Sequence, residues 1–367
     1  MRIDRLLETA ILLQGIPAPT FEEHARAAAM RSMLEGIAGL EVEQDPSGNV
    51  LARLAGGHAP PVIVSAHLDS VFPRSTPLVV RREANRIIGP GIGDNALGLA
   101  CLVELAQDLK GDPLPGDVWF IANVGEEGLG NLAGMQAVVD KFRGKPSAYL
   151  VVEGMALGYV YHRALPVRRY RIAVQGEGGH AWVHAGRLSA LHALIQIASL
   201  VSQLRLPKNP RTTLNIGTIQ GGSSINTIAS DATLEFEIRT EADSVLEKLD
   251  HTVRDICSPK NMPEPLTIQI SVIGERPGGE IAADHALVRL AQGLTEQHTG
   301  IASELGIAST DASMPLSKGY PAICVGITHG GNAHSQEEFI MTEKIPRGYM
   351  ALLEIIVAWS KMSRGSG

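Results

Sequence analysis

Two histidines and five carboxylates stand where apolar stretches of this chain give way to loops. His67 and Asp69 follow the run Val62-Ile63-Val64, Glu126 and Glu127 follow "VWFIANV", and Glu153 closes "SAYLVVE". His334 lies a short loop beyond "PAICVGI", and Asp94 sits in the Gly-rich turn "GPGIGDNALG". Strand neighbours alternate sides, so His67 and Asp69, two apart, share a face. Imidazoles and carboxylates gathered at one sheet edge are costly to bury unless a cation neutralises them. Imidazole nitrogen with carboxylate oxygen, and no thiolate, suits zinc, cobalt or manganese rather than an iron–sulfur cluster. So many carboxylates for two histidines point to two metal ions sharing a bridging aspartate, an arrangement suited to hydrolysis.

Taken one at a time, these residues have plainer roles. A strand-end histidine is commonly just hydrogen-bonded, adjacent glutamates commonly mark a solvated turn, and an aspartate after glycines commonly caps a helix. Their joint placement at strand ends is what carries the metal reading.

The elements that must position them are legible from periodicity. Thr20 and Glu23 in "TFEE" predict a capping box opening a helix over 21–36. Short strands are expected near 40–45 and 49–54, and "NALGLACLVELAQDL" has helical spacing. Continuous apolar strands alternating with helices imply an α/β fold with a mostly parallel sheet and helices on both faces. Such sheets hold their ligands at the C-terminal ends of the strands. After about residue 164 the texture changes. "RRYRIAVQGEG" and "ATLEFEIRT" alternate as half-exposed strands do, and the order becomes β-α-β-β-α-β. The expected organisation is therefore a catalytic domain from 1–164 and 276–367, interrupted by a smaller α+β domain at 165–275. In the helix "SALHALIQIASLVSQL", His192 is expected to pack with Leu191, Leu194 and Ile195.

Bulk properties agree. A chain of 367 residues is long for one core, and 44% hydrophobic with 19% charged residues suits a globular protein. The net charge of −7 and the absence of a Lys/Arg-rich run argue against nucleic acid as a partner. Cys101, Cys257 and Cys324 are odd in number and far apart, so they read as buried small hydrophobes, not disulfides. The N-terminus carries Asp4, Arg5 and Glu8 and reads as an amphipathic helix, not a signal peptide. With no segment long enough to span a bilayer, a cytoplasmic protein without a membrane partner is expected.

Seven motifs, "SAHLDSVFP", "GPGIGDNALG", "VGEEGLGNLAG", "VVEG", "GEGGHAW", "GGSSINTIAS" and "GNAHSQEEF", resemble in order those of metallopeptidase family twenty. Its members include glutamate carboxypeptidase, acetylornithine deacetylase, succinyl-diaminopimelate desuccinylase and tripeptide aminopeptidase. The resemblance spans nearly the whole chain and implies the following expectations. Two divalent ions, zinc foremost with cobalt or manganese as alternatives, bind one chain. His67 and Glu153 hold one ion, His334 and Glu127 the other, and Asp94 bridges them. Asp69 orients His67, and Glu126 is the general base. His180 and Asn226 bind substrate or its oxyanion, and Arg239 grips a substrate carboxylate. The inserted domain serves as lid and joins a homodimer. The substrate is a short peptide or an N-acyl amino acid, and the glutamate at 153 favours carboxypeptidase or deacylase action over aminopeptidase action. Every motif position is filled, which argues against an inactive peptide-binding homologue.

Overall fold

The computed structural model describes residues 3–363. Internal contacts divide it into two units, one running to Ala164 and resuming at Gly279, the other formed by Leu165–Gly278. The first is built on a mixed sheet. Its strands run in the order Leu40–Gln44, Val50–Leu54, Gly116–Asn123, Ala59–His67, Ala148–Glu153, Ala322–Gly326, Tyr159–Ala164 and Gly279–Glu280, with Glu304–Ala308 also beside Tyr159–Ala164. The four central strands, from Gly116–Asn123 to Ala322–Gly326, are mutually parallel.

Buried parallel strands need apolar side chains on both faces, and these have them. Val62, Val64 and Ala66 point into one cluster with Leu6, Met30, Leu105 and Ile355 of the flanking helices. Ile63 points the other way, with Val151 and Cys324, towards Met135, Val138 and Leu316. Each fully buried side chain of this size stabilises the fold by about 1.5–3 kcal/mol. The register sets the active edge. His67 pairs with Asn123, and Gly326 pairs with Glu153, so the four strands end together. All three cysteines are free and buried, as expected.

The second unit is a four-stranded antiparallel sheet, Thr212–Gly221, Asp231–Thr240, Val167–Gln175 and Thr267–Arg276, in that order. The helices Ala190–Ser202 and Asp243–Ile256 cover one face through Leu194, Val201, Leu246 and Val253 against Tyr170, Ile172 and Phe236. Thr212–Gly221 is an edge strand.

Two local expectations are corrected. Helix His24–Glu35 begins without a capping box, because both of its intended members are drawn elsewhere. Thr20 Oγ1 donates to Asp69 Oδ2 at 2.9 Å, and Glu23 Oε1 accepts the Gly125 N–H at 3.1 Å. His192 is exposed rather than packed, since helix Ala190–Ser202 docks through Leu194 and leaves Ile195 about half exposed. Among the described residues no helix is long and apolar enough to cross a membrane.

Candidate metal centre

His67 ends its strand fully buried. Its Nε2 lies 3.0 Å from Asp94 Oδ1 and 3.8 Å from Glu153 Oε2. The other oxygen of Asp94, Oδ2, lies 3.2 Å from His334 Nε2, which is itself 3.4 Å from Glu127 Oε1. One carboxylate thus faces two imidazoles with its two oxygens, and each imidazole has a further glutamate of its own. Donor atoms of His67, Asp94 and Glu127 all lie within 4.8 Å of one another.

The electrostatics describe a cluster short of positive charge. Burial opposes ionisation of His67, but the Glu153 charge and hydrogen bonds to Asp69 and Asp94 overcome it and raise its pKa well above the ordinary value. His334 is pushed up to about 10 by hydrogen bonds to Asp94 and Glu127. Burial pushes Glu153 up to about 7. Asp94 is held far below the usual carboxylate range, because the two histidines outweigh its burial. The excess of carboxylates around the two imidazoles calls for added positive charge, and the nitrogen and oxygen donors suit divalent cations. The residues fit a two-metal centre.

His67, the Glu126-Glu127 turn and the Asp94 turn are held from behind. Asp69 is completely buried; its Oδ1 accepts the Glu126 N–H at 2.9 Å and its Oδ2 the Glu127 N–H at 2.8 Å. The same residue meets His67 Nδ1, 3.1 Å from its carbonyl and 3.5 Å from Oδ1. A hydrogen bond from Nδ1–H fixes the tautomer that leaves Nε2 free to ligate. Arg26, buried beneath, donates to the carbonyls of Leu68 at 2.8 Å and Ile16 at 2.7 Å, anchoring the end of the His67 strand. Glu126 is buried at 6% exposure.

Sequence reasoning passed over two of these supports. Asn95 donates from Nδ2 to the Val152 carbonyl at 2.8 Å and accepts the Gly154 N–H at 3.2 Å, which clamps the Asp94 turn beside Glu153. A Cβ at Gly98 would stand 2.1 Å from Asn95 Oδ1, so only glycine leaves room for this clamp. Glu338, fully buried, accepts the N–H groups of Gly91, Gly93 and Asp94 at 3.1, 2.8 and 2.9 Å. Burial pushes its carboxyl up to about 7. The signal was a second acidic pair, Glu337-Glu338, just after His334, of which only Glu338 turns inward.

The three remaining expected residues belong to the second unit. His180 is exposed on a two-residue strand paired with Thr227-Ile228, and its Nδ1 accepts the Trp182 N–H at 3.2 Å. Asn226 is exposed, with Oδ1 accepting from Ser224 Oγ at 2.9 Å. Arg239 donates from Nε to Glu237 Oε1 at 2.7 Å, so its guanidinium already has an acidic neighbour on its own strand. A groove of about 650 Å³ in this unit, lined by His192, Ile197 and Met262, contains none of the expected site residues.

The chain is 23% identical to an acetylornithine deacetylase of Klebsiella pneumoniae over 91% of its length and 92% of the relative's. Its fold matches a tripeptidase of Staphylococcus aureus with a TM-score of 0.78 at 22% identity, covering 98% of this chain and 99% of that one. It also matches the Bacillus subtilis YXEP protein, a dinuclear metal-binding peptidase, with a TM-score of 0.69 at 17% identity over 98% of both chains. The model of peptidase family M20/M25/M40 matches residues 63–358, from the strand that carries His67 into the last helix, and the chain belongs to that family.

Proposed function

We propose that this chain is a di-metal amidohydrolase that cleaves the amide bond of short peptides or N-acyl amino acids beside a free α-carboxylate. One observation carries the reading: Asp94 presents its two oxygens to His67 and His334 at 3.0 and 3.2 Å. His67 and Glu153 would hold one ion and His334 and Glu127 the other, with Asp94 shared; zinc suits the donors best. Bound there, two divalent cations supply Lewis-acid polarisation of the scissile carbonyl and of water.

The chain's own residues supply the rest. Glu126 takes the proton of the attacking water on its carboxylate and delivers it to the leaving amine nitrogen. Asp69 holds the backbone of Glu126 and Glu127 while orienting His67, so base and ligands keep a common frame. His180 and Asn226 donate hydrogen bonds to the developing oxyanion or to substrate. Arg239 has the planar fork that grips a carboxylate in bidentate fashion, and a substrate carboxylate would take the place that Glu237 holds at 2.7 Å. The preference for a free α-carboxylate rests on Arg239 and on a glutamate, not an aspartate, at position 153, and it accords with the acetylornithine deacetylase relative. The second reading is an aminopeptidase, favoured by the likeness to a tripeptidase.

A substrate pair separates them. Under the first reading, amidation of the substrate's C-terminus costs most of kcat/KM and N-acylation costs little. Inert N-acyl substrates with well-cleaved C-terminal amides would establish the aminopeptidase.

We also propose a homodimer joined through Leu165–Gly278, whose edge strand exposes Ile219 and whose helix exposes Ile195 and Leu200. Mixing His180→Ala protein with Glu126→Gln protein tests whether the site is shared. Regained activity after subunit exchange supports sharing, and none places the site within one chain.

A further inference from the structure

Phe21 joins two properties that rarely coincide. Its backbone lies in the left-handed region at φ +74°, which bulky residues avoid and glycine adopts freely. Its side chain is 71% exposed, so burial in the fold offsets neither that strain nor the hydration cost of an aromatic ring. Strain kept at an exposed aromatic side chain points to use rather than to folding.

Its position says which use. Glu23 Oε1 accepts the Phe21 N–H at 3.0 Å and the Gly125 N–H at 3.1 Å, so one carboxylate oxygen ties Phe21 to the residue before Glu126. The preceding residue, Thr20, donates to Asp69, which carries the Glu126-Glu127 backbone. A Cβ at Gly130 would lie 2.6 Å from Thr20 Cγ2, so the two loops are in close contact. The Gly125–Gly130 turn itself exposes Leu129 at 44%. The neighbouring charge is already engaged, since Glu22 pairs with Arg74 at 2.8 Å. Phe21 and Leu129 are thus exposed apolar side chains on two loops in contact.

We infer that Phe21, with Leu129 on the adjoining turn, binds an apolar substrate side chain flanking the scissile amide and so determines specificity. The inference rests on the hydrolase reading above. The test compares kcat/KM for N-acetyl-leucine with N-acetylglycine, and for trileucine with triglycine, in wild-type, Phe21→Gly and Phe21→Asn proteins. Asparagine tolerates positive φ while removing the ring. The leucine-to-glycine ratio should fall about tenfold in both variants, the range in which apolar pockets discriminate. The apparent Tm should hold or rise in Phe21→Gly, where strain is relieved. An unchanged ratio in a wild-type enzyme that cleaves these substrates overturns the inference. So does a Tm fall of more than about 5 °C in both variants, which would make the ring structural. A changed assembly state in sedimentation would assign the ring to a contact between copies and overturns it equally. If wild-type protein cleaves none of the four, the proposed substrate class of short peptides and N-acyl amino acids fails instead.

Discussion

Glu338 holds Asp94 by the backbone: Glu338 Oε1 accepts the Asp94 N–H at 2.9 Å and the neighbouring Gly93 N–H at 2.8 Å, while Oε2 accepts that of Gly91. Because Glu338 follows His334 by four residues, this one carboxylate ties the loop of His334 to the turn of Asp94. Replacement by glutamine aims an NH₂ group at backbone donors, so it breaks the cradle while keeping the volume. Glu338→Gln should weaken divalent-ion affinity by about 10- to 100-fold, as loss of groups behind ligands does. Calorimetric titration with zinc or manganese measures this, and native affinity would show that the loop holds its shape alone.

Metal binding should release protons. In the metal-free cluster the carboxylates hold His67 and His334 protonated far above the ordinary imidazole range. An incoming ion must displace those protons, so affinity should rise with pH between about 6 and 9. Titration in buffers of different ionisation enthalpy counts the protons released. Binding that is independent of pH would contradict the ligand assignment. His67→Ala and His334→Ala should each lower the bound stoichiometry.

Glu126→Gln should leave both ions bound, because Glu126 is assigned to none of them, and should lower kcat by about 10²- to 10⁴-fold. Metal content and steady-state rates on the same preparation give both answers. Near-native kcat would place the general base elsewhere.

Asp250 offers a pH test in the second unit, independent of metal. Burial alone would raise its pKa, but Arg254, the Tyr170 hydroxyl and Arg168 outweigh burial and hold it below the ordinary value. The distances are 2.7 Å to Arg254 Nε and 2.9 Å to Tyr170 Oη. A carboxylate depressed in the folded state contributes stability above its unfolded pKa of about 4 and loses it as pH falls through the folded value. Asp250→Asn should therefore cost about 1–3 kcal/mol at pH 7, and the difference from wild type should shrink below about pH 4. Urea unfolding at pH 7 and pH 3 measures it. A deficit that is the same at both pH values would assign the loss to packing rather than charge.

By itself the sequence determined the sheet and the residues at its edge. Apolar runs of strand length with polar residues at their C-terminal ends are local patterns, and parallel pairing brings such ends together. His67, Glu127 and Glu153 were legible for that reason, Asp94 and His334 through the motifs around them, and the five meet in the structure. Only the tertiary structure decided what stands behind them. Glu338 finds Asp94 across 244 positions and Gln14 finds Pro90 across 76, separations at which a lone sequence carries no periodic signal. Thr20 and Glu23 fit a local capping pattern, yet they serve Asp69 and Gly125. His192 and Ile195 fit a helical stripe, but spacing cannot tell which side of an amphipathic helix docks. A hydrogen-bonding side chain takes the partner that removes the most costly buried donor, and buried donors such as the Gly125 N–H exist only once the chain has folded.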